Sequence, residues 1–103
     1  MKIYYVDIDD TICTNTDGQY HKANPLSNNI NKINSLYDEG NTIIYWTARG
    51  SVSNINWLDV TKAQLDEWGV KYHDVRVGKP HYDYFICDKA INSADFFSDV
   101  NGD

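Results

Sequence analysis

The chain has few positive charges. Nine Lys and Arg stand against fifteen Asp and Glu in 103 residues, a formal net charge of -6, and no two basic residues are adjacent. That balance excludes a nucleic-acid backbone or an anionic membrane as the main partner, because either needs a basic surface. It leaves room for a phosphorylated small molecule if a divalent cation shares its site. No apolar stretch approaches the ~20 residues that span a bilayer. The two cysteines, Cys13 and Cys87, have no CxxC spacing, and the opening MKIYYVDI is too short and too soon acidic for a signal peptide's apolar region. These absences predict a cytoplasmic protein with both thiols reduced. A length of 103 residues predicts one domain, residues 1–103, with a single core.

What is present is a set of short apolar runs ending in polar residues. KIYYVDI (2–8), NTIIYW (41–46), VKYHDVRV (70–77) and DYFICD (83–88) read as strands, rich in β-branched and aromatic residues. Between the first two, Leu26, Ile30, Ile33 and Tyr37 repeat at helical spacing, with Ser27 as the expected cap and Gly40 as the stop. Ile55, Leu58, Leu65 and Trp68 mark a second helix that stops at Gly69, and 90–97 predicts a short last one. Alternating strands and helices predict right-handed βαβ units. The fold class expected is α/β: a three-layer Rossmann-like sandwich with a mostly parallel sheet and no cap domain. Residues 12–25 are expected as a long loop or short flap after strand 1.

In such folds ligands bind beyond the carboxyl ends of the strands. Asp7, Asp9, Thr47 and Asp88 fall at predicted strand ends, and Lys79 lies in the loop before the last strand. Asp7, Asp9 and Asp10 crowd the first strand end with no cation nearby in sequence. Two carboxylates ~4 Å apart repel by ~1 kcal/mol in water and ~4 kcal/mol at an effective dielectric near 20. Mg²⁺ held by Asp7, Asp9 and Asp88 would offset that repulsion and accept a phosphate oxygen as a further ligand. One carboxylate could then attack phosphorus while the other moves the leaving-group proton. Thr47 and Lys79 would hold phosphoryl oxygens. Taken singly, each has a plainer explanation: a solvated acidic turn, a capping threonine, a surface lysine, an N-cap aspartate.

The ordered set D-x-D-x-T (Asp7, Asp9, Thr11), Thr47 in WTARG, Lys79 in GKP and Asp88 in YFICDKA resembles the four motifs of the haloacid dehalogenase superfamily of phosphotransferases. The resemblance spans nearly the whole chain. It implies Asp7 as nucleophile and Asp9 as general acid/base, with Thr47 and Lys79 binding the phosphoryl group. It also implies Mg²⁺ on Asp7, Asp88 and the Asp9 carbonyl, and Thr11 tying down the loop after the nucleophile. Asp10 falls at a variable position. The family's fourth motif carries a pair of acids, and Cys87 stands in place of the first. The short insertion at 12–25 and GKPxxDxxxxD followed by KA resemble the small capless phosphatases of bacterial capsule and polysaccharide biosynthesis.

The resemblance implies a Mg²⁺-dependent phosphomonoester hydrolase acting on a sugar phosphate or related metabolite, with an open site that a homo-oligomer could close. Tyr20, His21 and Lys22 in the flap, Arg49, His81 and Tyr82 are candidates to touch the leaving group, with an ordinary surface role as the plainer account of each. Two other classes stay open. A receiver-like phospho-signalling domain also combines acids, Thr and Lys, but needs an Asp at the end of a middle strand, where NTIIYW offers none. A catalytically weak binding member of the same superfamily would suit Cys87.

Overall fold

The computed structural model describes residues 1–102. Three parallel strands form an open sheet in the order β1 (Ile3–Val6), β2 (Thr42–Trp46), β3 (Asp74–Arg76). Ile3 lies opposite Thr42, and Ile44 opposite Asp74. Helix α1 (Ser27–Asp38) connects β1 to β2, and α2 (Leu58–Glu67) connects β2 to β3. Two four-residue helices, α3 (Ser93–Phe96) and α4 (Ser98–Asn101), end the chain, and α4 packs against α1.

Because side chains alternate along a strand, the register sorts the sheet into two faces. Val6, Ile43, Tyr45 and Val75 join Ile8, Ile12, Ile30, Ile33, Leu65 and Phe97 in one buried cluster. The opposite face carries Ile3, Tyr5, Ile44, Trp46 and Arg76. Tyr5 meets Trp46 edge to face at 6.0 Å and accepts a 2.7 Å hydrogen bond from Arg76. That face is open at β1, where Ile3 is 69% and Tyr5 52% exposed.

Both main helices stop where the sequence places a glycine. Gly40 and Gly69 have φ of +95° and +71°, a conformation that favours glycine. The start of α1 differs from expectation. Ser27 is its first helical residue, Leu26 holds the cap position, and no side chain caps the helix. The third strand is shorter than 70–77, because the Val70 N–H bonds back to the carbonyl of Leu65 and ends α2.

The flap after strand 1 is present as a loop tied by backbone. Cys13 bridges to Pro25, the Thr14 N–H donates to Asn24, and the Leu26 N–H donates to Ile12. A single 3-10 turn at Tyr20–Lys22 interrupts it.

The fourth strand is a correction. DYFICD (83–88) forms no strand, and every residue from Pro80 to Asn92 is exposed. Its composition suits a strand, but a parallel strand needs a crossover of a dozen or more residues. Only the six residues from Val77 to Tyr82 separate it from β3. β1 therefore remains an edge of the sheet, as β3 is at the other side.

Candidate active site

Asp7 follows β1 directly, and its carboxylate lies 3.3 Å from the Lys79 ammonium. Its other oxygen accepts from the Ile8 N–H at 2.8 Å, which fixes the carboxylate at the strand end. Thr47 follows β2 and is buried; its carbonyl accepts from the Lys79 N–H at 3.1 Å. The Lys79 carbonyl in turn accepts from the Ser51 hydroxyl. The loops after β2 and β3 are thus laced together, and that lacing carries Lys79 to Asp7. Asp7, Asp9, Thr47 and Lys79 meet at one edge of the sheet, as their positions at strand ends predict.

Asp9 has a partner that its sequence neighbourhood does not reveal. Arg49 reaches back to it with a two-pronged pair, Nε to Oδ2 at 3.0 Å and Nη2 to Oδ1 at 2.9 Å. The Arg49 side chain has no exposed surface, and that of Asp9 is 21% exposed. The remaining donors are matched as buried polar groups require: Nη1 binds the Thr61 hydroxyl at 3.0 Å and the Gln64 side chain at 2.6 Å. Gln64 completes the chain by donating to the Tyr20 carbonyl, and the Tyr20 ring lies 4.6 Å from the guanidinium.

This corrects the expectation for Arg49. It is enclosed between Asp9, α2 and the flap, so its contact with a leaving group is indirect, through Asp9 and Tyr20. Thr61 and Gln64 were not singled out from sequence. Their only signal is that two polar residues sit beside Leu65 on the inward face of α2.

Cys13 lies below this pair. Its thiol approaches Asp9 at 3.5 Å, and Arg49 Nη2 approaches its sulfur at 3.7 Å. Burial first, and the Asp9 charge second, push the thiol up to about 12. Burial, and again Asp9, also raise the Tyr20 phenol.

Asp10 turns the chain away with φ +61°. Its carboxylate accepts from Asn15 and its carbonyl from the Ser93 hydroxyl. Thr11 is tied down through its backbone, since its carbonyl accepts a buried 2.8 Å hydrogen bond from Asn29.

Beside the acids a cleft of about 330 Å³ opens between the flap and the loop after β2. It is lined by Asp17, Tyr20, Gly50, Trp57 and His81, among others. Tyr20 and Trp57 meet edge to face at 4.9 Å. Lys22 and His21 are exposed on the 3-10 turn, and Tyr82 lies under the Lys79 ammonium at 5.6 Å.

Asp7, Asp9 and Asp88, the residues expected to hold the cation, are not brought together within the described residues of one chain. Among the described residues no three His, Cys, Asp or Glu side chains gather to hold a metal ion. Asp7 is paired with Lys79, Asp9 with Arg49, and Asp88 is exposed in 80–92 with only the neighbouring Cys87 thiol near its carboxylate. The charge at the first strand end is balanced here by two cations from far along the chain.

No family model matches the chain, and no curated protein matches it. It is similar to the crystal structure of a structural-genomics target from Vibrio cholerae, with 28% identity and a TM-score of 0.84 over 99% of this chain and 95% of that one. The likeness supports the α/β fold. Among the described residues no helix is long and apolar enough to cross a membrane.

Proposed function

We propose that the chain is a phosphomonoester hydrolase working through an aspartyl-phosphate on Asp7, with a sugar phosphate or related metabolite as substrate. The observation that carries this is the pairing of Asp7 with Lys79 at 3.3 Å, on a loop bonded to Thr47. A nucleophilic carboxylate and a phosphate-binding cation thus share one sheet edge. The three-layer Rossmann-like sandwich belongs to the same proposal, as does the kinship with capless haloacid dehalogenase phosphatases.

In the first half-reaction an Asp7 carboxylate oxygen attacks phosphorus and the bond to the leaving oxygen breaks. Protonated Asp9 gives that oxygen its proton. In the second half water attacks phosphorus, Asp9 takes the water's proton, and the bond to Asp7 breaks to release phosphate. Lys79 moves from Asp7 to the phosphoryl oxygens as their charge redistributes, and the Thr47 segment orients them. Arg49 holds Asp9 in one orientation, and Oδ2, which accepts from Arg49 Nε, keeps a lone pair for the proton. The cleft beside Tyr20, Trp57 and His81 receives the leaving group. No step runs through a cation, because one chain does not assemble its ligands.

A panel of phosphate esters, assayed with and without Mg²⁺, tests the proposal. Turnover is expected in the wild type and lost in Asp7→Asn; turnover that survives Asp7→Asn overturns the mechanism. A catalytically weak binding member of the same superfamily is favoured by the locking of Asp9 onto Arg49. In that case sugar phosphates bind by calorimetry and no panel member turns over.

A further inference from the structure

The sheet ends in a bare edge, and the chain carries an apolar segment with nothing to cover it. β1 pairs only with β2, so its outer N–H and C=O groups form an open ladder beside the exposed Ile3 and Tyr5. Natural proteins seldom leave such an edge unguarded. Tyr84 is 89%, Ile86 98% and Ile91 64% exposed, in a stretch whose composition suits a strand. A contiguous apolar segment of this kind marks an interaction surface.

The chain cannot lay this segment along its own β1 in parallel. Lys79 is pinned at the carboxyl end of β2 by its bond to the Thr47 carbonyl. Ile3 lies opposite Thr42, five residues lower. Placing Asp83 beside Ile3 requires a descent of about 16 Å and a sideways step of about 10 Å, close to 19 Å in a straight line. Four residue steps from Lys79 to Asp83 reach about 14 Å at full extension. At the start of this segment, His81 lines the cleft with Asp17, Tyr20 and Trp57.

We infer that residues 83–88 of each chain add a parallel strand to the β1 edge of a second copy, in a reciprocal exchange. The exchange is isologous and closes as a dimer, with the same segment and the same edge used twice. The parallel direction continues that of β1, β2 and β3, and it sets Asp83 against Ile3, next to Lys2. Tyr84 and Ile86 fall on one side of the added strand and Phe85 on the other, which extends both faces of the sheet. The same register brings Asp88 of the second copy to the carboxyl end of β1, beside Asp7. That last consequence rests on the phosphatase proposal, whereas the strand pairing does not.

The test is light scattering with site-directed disulfide mapping, neither of which needs activity. The wild type at about 50 µM is expected at twice the 11.8 kDa of one chain. Ile86→Asp, at a residue with no folding role in a single chain, is expected to weaken association at least tenfold with an unchanged circular dichroism spectrum. A monomeric wild type, or a dimer indifferent to Ile86→Asp, overturns the inference. Tyr5→Cys and Phe85→Cys, with the exposed Cys87 changed to Ser, place two thiols opposite one another in this register. Mild oxidation is expected to join position 5 to position 85 in a band of dimer mass, identified by peptide mapping. The same bond in a band of monomer mass, or no such bond, overturns exchange between copies. A monomeric wild type that turns over phosphate esters would refute the exchange and spare the phosphatase proposal, and an inactive dimer would do the reverse.

Discussion

The Arg49–Asp9 pair offers the sharpest test of what holds the site together. Arg49→Met keeps much of the side-chain volume and removes the guanidinium. It leaves Asp9, Thr61 and Gln64 without the donors that they now share. Removing one partner of a buried ion pair costs about 3–5 kcal/mol. The Asp9 side chain is 21% exposed, so water reaches part of the orphaned carboxylate and the lower end applies, about 3 kcal/mol. Gln64 turns back to its Tyr20 contact and adds little. For a chain of 103 residues, an m-value of about 1.5 kcal/mol/M in urea converts this to a midpoint lower by about 2 M. The measurement is urea unfolding followed by tryptophan fluorescence, with Arg49→Met, Asp9→Asn and the double variant closing a cycle. A coupling of at least about 1.5 kcal/mol is expected, since the pair is two-pronged and enclosed. An Arg49→Met variant within about 0.5 kcal/mol of wild type would refute the claim that this pair organises the site.

Other outcomes follow from single features. Cys13 is held up at about 12 from an ordinary 9.0, chiefly by burial, so its neutral form belongs to the folded state. The stability it contributes is fully present below pH 9 and is lost as pH rises from 9 toward 12. A thiol reagent at pH 8 should therefore label one cysteine per native chain, Cys87, and two in denaturant; fast labelling of Cys13 in the native protein would contradict its burial. Gly50 has φ +86°, and an added Cβ would stand 2.2 Å from the Ile55 carbonyl oxygen. Gly50→Ala should cost at least about 1–2 kcal/mol, read as a lower Tm, and should loosen the loop that carries Trp57. Lys79→Met, read in steady-state kinetics on the best ester, should lower kcat/KM at least tenfold. An unchanged value would remove Lys79 from phosphate binding.

The parts of this structure that could be read along the chain are those set by local pattern. The apolar runs at 2–8 and 41–46 become neighbouring parallel strands because each is followed by a helix long enough to return the chain. Gly40 and Gly69 end those helices at the positions where the sequence puts them. Asp7, Thr47 and Lys79 converge for a topological reason: parallel strands deliver their following residues to one edge. DYFICD shows where pattern stops being enough. Its composition is as strand-like as NTIIYW, yet a strand also needs an edge within reach, and six connecting residues do not provide one. Arg49 shows the same limit for charge. Nothing near Asp9 in sequence marks its partner forty residues on, although three acids without a local cation imply that some cation must come from afar. In an acidic chain with nine basic residues, the buried one is the natural candidate, because an arginine with no exposed surface must have a carboxylate to face. The crowding of Asp7 and Asp9 is therefore resolved by tertiary structure, with Lys79 on one and Arg49 on the other. The two carboxylates are held in different electrostatic surroundings: one paired at an open edge where an ammonium can move aside, the other clamped by a guanidinium that cannot. That asymmetry separates a nucleophile, which must be freed, from a proton carrier, which must stay aimed.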